Sequence, residues 1–113
     1  MDIRTEYPKP DAAVITLDGE MDLYNANKVR AAFQQSMTSD CRGLVLELSK
    51  LRYLDSSGVG VLIHLMQSLK TQGGRLAIVG LHGPPEKVLD MTHILDLIRT
   101  FPNISAALDY VRE

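Results

Sequence analysis

Apolar residues along this chain fall into short continuous runs separated by stretches of helical spacing. The runs "AVITLDG" (13–19), "GLVLELS" (43–49) and "RLAIVG" (75–80) are bounded by glycine or proline and predict buried strands. The weaker alternation of "IRTEY" (3–7) predicts an edge strand ahead of a hairpin at "PKPD", and "IRTF" (98–101) a short last strand. Between them, Ala26, Val29, Ala32, Phe33 and Met37 recur at spacings of three and four, predicting a helix over 25–37. Leu62, Leu65, Met66 and Leu69 make a second stripe over 57–72, stopped by Gly73-Gly74. "PPEKVLDMTHI" (84–94) opens with proline at a first turn, and Asn103 caps a last helix with Ile104, Ala107, Leu108 and Val111 on its apolar side. Strands alternating with helices predict an α/β sheet with helical cover, with 43–49 and 75–80 parallel because a full helix joins them.

Length and charge narrow the classes of function. A chain of 113 residues is sized for a single domain, 1–113, with one core. A net charge of -2 and scattered aromatics leave no basic footprint for nucleic acid. The lone Cys41 excludes an internal disulfide and a multi-cysteine zinc site. The opening "MDIRTEYPKP" lacks the apolar core of a secretory signal, and no apolar run approaches the ~20 residues that span a bilayer. A cytoplasmic domain without membrane contact, without cofactor and monomeric is expected.

The chemistry concentrates in "RYLDSSGVGVL" (52–62), where two serines sit between an aspartate and a glycine at a strand-to-helix turn. A nucleophile elbow needs glycine two residues before its serine, and Leu54 and Asp55 stand there instead. The glycine turns "DSSGVG" and "GLHGPPE" lack the lysine and hydroxyl that end a phosphate-binding loop. Asp18, Glu20 and Asp22 would share a face for a hard cation if their strand ran straight, but Gly19 interrupts it, and no metal is expected. One helix cap needs one side-chain oxygen, so Asp55, Ser56 and Ser57 together exceed that demand. A phosphoacceptor uses the surplus, because a helix N-terminus tolerates the added charge of about -1.5 to -2. That charge would repel an acidic partner surface that accepts the neutral form. On the following helix Gly60, His64, Gln67 and Thr71 face away from the apolar stripe, with Val59 and Ile63 at the boundary. Gly60 would let a partner backbone approach closely, or Gly58 and Gly60 only ease the tight turn. From the residues alone the acceptor is one of the two serines.

"YLDSSGVGVLIHLMQSLKTQGGRLAIVG" (53–80) resembles the Asp-Ser-Ser/Thr-Gly-Leu-Gly segment and following helix of anti-sigma factor antagonists, the small bacterial STAS-domain proteins. "LDGEMDLYNANKVR" (17–30) resembles their Gly-Glu-x-Asp turn, and "PPEKVLDMTHILDLI" (84–98) their third helix. The resemblance implies a single STAS domain: a small mixed sheet of four or five strands, covered mainly on one side by about four helices. It implies a regulatory binding protein rather than an enzyme, with partner switching as its mode of action. The unphosphorylated antagonist binds an anti-sigma factor that is also a Ser/Thr kinase of the histidine-kinase-like ATPase type, freeing the sigma factor. Phosphorylation ends the binding and a PP2C-type phosphatase resets it. The resemblance selects Ser56 as acceptor ahead of Ser57, with Asp55 and Ser57 flanking it, Gly58 and Gly60 shaping the helix start and Asp22 in the neighbouring turn. Val59 and Ile63, at the boundary of the helix's outer face, complete the expected partner surface. A STAS domain working in a scaffold or transporter-associated complex without a serine switch is the alternative. Two positions depart from the family pattern: Val59 replaces a leucine, and His93 stands where the third helix often ends in glycine.

Overall fold

A computed structural model describes residues 1–38 and 40–113. In chain order it contains β1 (Asp2–Lys9), β2 (Ala12–Met21), α1 (Ala26–Ser36), β3 (Gly43–Glu47), β4 (Leu51–Leu54) and α2 (Ser56–Thr71). There follow β5 (Arg75–Val79), α3 (Gly83–Met91), a 3-10 turn at Ile94–Asp96, β6 (Arg99–Phe101) and α4 (Ile104–Val111). The mixed sheet runs β1-β2-β3-β5-β6, with β1 antiparallel to β2 and the other pairs parallel.

The sheet has six strands, one more than the upper expectation from sequence. The addition is β4, whose buried residues Leu51 and Leu54 are three apart and break the two-residue rhythm of a strand. It forms because β2 outruns β3. Residues 12–16 of β2 pair with β3, while Gly19, Glu20 and Met21 pair with Leu51, Tyr53 and Leu54. The β2–β4 pairing is irregular at its start, where Arg52 is the extra residue between the Gly19–Leu51 and Glu20–Tyr53 pairs, and Gly19 adopts φ 131° there.

Central strands read as continuous apolar runs because both faces are covered. Ala13, Ile15, Leu17, Leu44, Leu46 and Ile78 point into the larger core with Val29, Phe33, Leu62, Leu65, Leu69 and Leu89 of α1, α2 and α3. Val14, Val45, Ala77 and Val79 point the other way, against Ala107 and Val111 of α4. The helical cover is therefore three to one, as the uneven cover expected from sequence requires. Cys41 is buried in the larger core, and desolvation pushes its thiol pKa up, which makes it a packing residue rather than a nucleophile.

His93 follows α3 in the left-handed region, at φ 62° and ψ 18°. The glycine geometry is thus kept without the glycine, at a backbone cost of about 1 kcal/mol. His93→Gly is expected to raise the thermal midpoint by a few degrees, the glycine's greater freedom when unfolded offsetting part of the relief. An unchanged or lower midpoint in a calorimetric scan would contradict this.

Candidate functional site

The parallel ends of β2 and β4 emerge side by side, so the turns that follow them are neighbours. Met21 pairs with Leu54, and the Asp55 amide donates to the Met21 carbonyl at 3.2 Å. Asp22 and Asp55 therefore begin two adjacent turns. The first turn is held by Asp22 Oδ1, which accepts from the Asn25 amide at 3.1 Å, while Asn25 Nδ2 donates to the Glu20 carbonyl at 2.9 Å. In the second, Asp55 is the cap of α2: its Oδ1 accepts from the amides of Ser57 at 2.9 Å and Gly58 at 3.2 Å.

That assignment divides the three polar residues. With Asp55 as cap, Ser56 is the first helical residue, is exposed, and its hydroxyl makes no hydrogen bond among the described residues. Ser57 is half-buried one position further on. The tolerance expected of a helix N-terminus for a phosphate rests in part on open backbone amides. The structure corrects this, because the carboxylate of Asp55 already holds two of them and the Val59 amide bonds the Asp55 carbonyl. Only the Ser56 amide is left in that turn.

The two glycines separate as sharply. A Cβ on Gly58 would lie 2.9 Å from the Met21 carbonyl oxygen and would collide with Leu54 Cδ1, whereas one on Gly60 would meet nothing within 4 Å. Gly58 lets α2 start directly against β2, and Gly60 lies open on the outer face with His64, Gln67 and Thr71. Val59 is buried, which makes it a packing residue of the site, and Ile63 is half-buried at the edge of the outer face.

A feature missed in the sequence completes the surface. Leu23 and Tyr24 follow Asp22 in the first turn and are 69% and 91% exposed. Two large apolar side chains inside the polar stretch "MDLYNAN" were the available signal.

The remaining candidates are spread among other partners. Asp18 pairs with Arg52 at 3.4 Å and Asp22 holds its own turn, so the two do not converge with Glu20 on a cation. Among the described residues no group of three or more His, Cys, Asp or Glu is arranged to hold a metal ion. His82 Nε2 lies 2.8 Å from the Ser49 carbonyl, His93 Nδ1 pairs with Asp96 at 3.4 Å, and His64 is exposed on α2. No hydrogen bond joins any of them to Ser56 or Ser57 among the described residues. No helix of the described residues is long and apolar enough to cross a membrane.

The STAS-domain family profile matches residues 5–107. An anti-sigma F factor antagonist of Paenibacillus polymyxa is 28% identical over 96 residues, covering 84% of this chain and 82% of that protein. An anti-sigma-B factor antagonist of Listeria monocytogenes is 30% identical over 84 residues, 74% of each chain. The fold is shared with the anti-sigma factor antagonist SpoIIAA in its unphosphorylated form, with a TM-score of 0.76 at 22% identity over 98% of both chains. The phosphorylated form of the Bacillus protein SpoIIAA gives the same TM-score of 0.76 at 22% identity, covering 97% of this chain and 99% of that one.

Proposed function

This chain belongs to the STAS-domain family, and from that premise we propose that it is an anti-sigma factor antagonist released from its partner by phosphorylation of Ser56. The observation that carries the reading is the division of labour at the start of α2. Asp55 does the capping, which leaves Ser56 exposed with an unbound hydroxyl. The partner is an anti-sigma factor that is also a Ser/Thr kinase of the histidine-kinase-like ATPase type. It docks on the surface formed by the Asp22 turn, the Ser56 turn and the outer face of α2 around Gly60 and Ile63.

Electrostatics supplies the switch. The Ser56 Oγ takes the terminal phosphoryl group of ATP and gives up its proton as ADP leaves. The product places about -1.5 to -2 of charge beside Asp55 and Asp22. Because Asp55 occupies the neighbouring amides, the helix start has little left to absorb that charge, and the phosphate is presented outward. Across a close interface, new charge facing acidic groups costs several kcal/mol, enough to end binding. A PP2C-type phosphatase restores the neutral serine and with it the binding surface.

The test is phosphosite mapping by mass spectrometry after incubation with ATP and the kinase, combined with a binding measurement. Ser56→Ala is expected to take no phosphate and to remain bound in the presence of ATP. Ser56→Asp is expected to bind at least about tenfold more weakly than the unmodified protein. Phosphate found on Ser57, with Ser56→Ala still labelled, overturns the assignment. A stable complex with a partner of another class, indifferent to both substitutions, replaces the switch by the scaffold alternative.

A further inference from the structure

β6 covers only part of β5. It pairs with Ala77, Ile78 and Val79, so Arg75 and Leu76 at the start of β5 have no strand beside them on that side. Backbone groups along a strand point alternately to its two neighbours. The Arg75 amide donates to the Arg42 carbonyl at 3.2 Å, and the Val79 carbonyl accepts from the Leu48 amide at 2.9 Å, so these odd-numbered residues bond on the β3 side. Leu76 therefore turns its amide and carbonyl towards β6. The Ala77–Arg99 pairing gives the Leu76 carbonyl the Arg99 amide, but the Leu76 amide has no acceptor among the described residues. Leu76 is 7% exposed, and a strand amide so nearly buried without a partner is rare.

A groove of about 460 Å³ opens at this bare edge. Met66, Leu69 and Lys70 of α2 line it from one side of the sheet and Tyr110 of α4 from the other, with Leu97 and Ile98 where β6 begins. Its charged residues are Lys70 and Arg75, and no carboxylate lines it, in a chain of net charge -2. Lys70 is exposed and makes no ion pair among the described residues. Arg75 uses Nη1 for the Tyr110 carbonyl at 3.2 Å and for Glu113 at 2.9 Å, which leaves its Nε and Nη2 unengaged among the described residues. Leu97 is 66% exposed on the wall.

We propose that this groove binds a small apolar carboxylate. One oxygen accepts from the Leu76 amide, Lys70 and Arg75 meet the charge, and the apolar body covers Met66, Leu97 and Ile98. An added peptide strand would need both a donor and an acceptor from the edge. Here the Leu76 carbonyl is taken and a donor alone remains, which suits a group that only accepts. The volume falls in the range of roughly 300–1,000 Å³ usual for small-molecule sites. Met66 lies about 15 Å along α2 from Ser56, so an occupied groove leaves the phosphoacceptor turn free.

Octanoate is the probe, titrated into the full chain and followed by amide NMR shifts. A saturable shift of the Leu76 amide is expected, with a Kd below about 1 mM, while the Ala77 amide, turned to β3, moves less. Octanamide keeps the tail without the charge, and acetate keeps the charge without the tail. Each should bind at least about tenfold more weakly. Lys70→Gln and Leu97→Ser, both at exposed positions, should each weaken octanoate binding about fivefold or more with melting midpoints unchanged. Equal affinity for octanamide, shifts that never saturate, or binding that leaves the Leu76 amide unmoved or survives both substitutions overturns the proposal.

Discussion

Gly58→Ala is expected to destabilise the fold by about 2 kcal/mol, while the same substitution two residues later, at Gly60, stabilises it by up to ~1 kcal/mol. Both glycines are in α2, so alanine gains about 1 kcal/mol of helix propensity at either position. At Gly58 the gain is overwhelmed. The added methyl meets the Met21 carbonyl and Leu54, and forcing a carbon into a packed site costs about 1–3 kcal/mol. Relief requires α2 to move away from β2, which stretches the bond from the Asp55 amide to Met21 and displaces Ser56. Gly58→Ala should therefore lose partner affinity beyond its loss of stability. At Gly60 open space lets the propensity term act alone. If the partner backbone lies against this position, Gly60→Ala binds more weakly although it melts higher. Chemical denaturation and titration with the partner, run on both variants, check the two signs. Equal stabilities would refute the packing argument, and unimpaired binding by Gly60→Ala would remove α2's outer face from the interface.

Tyr24→Ser is the second large effect, expected in binding and not in stability. A 91% exposed ring contributes little to the folded monomer, so its loss should leave stability within about 0.5 kcal/mol. An exposed tyrosine beside the acceptor turn has the makings of an interface anchor, and truncating such residues typically costs ~2 kcal/mol or more. Affinity for the proposed partner should fall by about thirtyfold. Calorimetric titration reads this directly, and wild-type affinity would place the partner on another surface.

Much of this architecture was legible from residue patterns. Gly43–Glu47 and Arg75–Val79 are apolar on both faces, and α2 is a striped helix between them, so their parallel pairing followed from chain connectivity. Asn103 caps α4 as its position suggested, its Oδ1 accepting from the Ala106 amide at 2.8 Å. β4 stayed hidden because a four-residue strand is too short to establish a rhythm and depends on the overhang of β2, a tertiary fact. At the site, the polar triplet was conspicuous, but which residue capped the helix depended on backbone angles. Asp55 is extended at φ -109° and ψ -173°, and this aims its carboxylate at the amides of residues 57 and 58. Leu23 and Tyr24 were overlooked because an apolar pair inside a turn carries no periodicity.

The unbound Ser56 hydroxyl has a consequence for how long a signal lasts. Since it makes no hydrogen bond among the described residues, and an added phosphate is presented outward into water where repulsion from Asp55 is screened, phosphorylation there is expected to change the folding equilibrium little. Proteases that survey unfolded chains would then degrade both forms at similar rates. In the proposed cycle, the ratio of the two forms is set by the kinase and phosphatase alone, and the memory of a stimulus does not decay through selective turnover of one form.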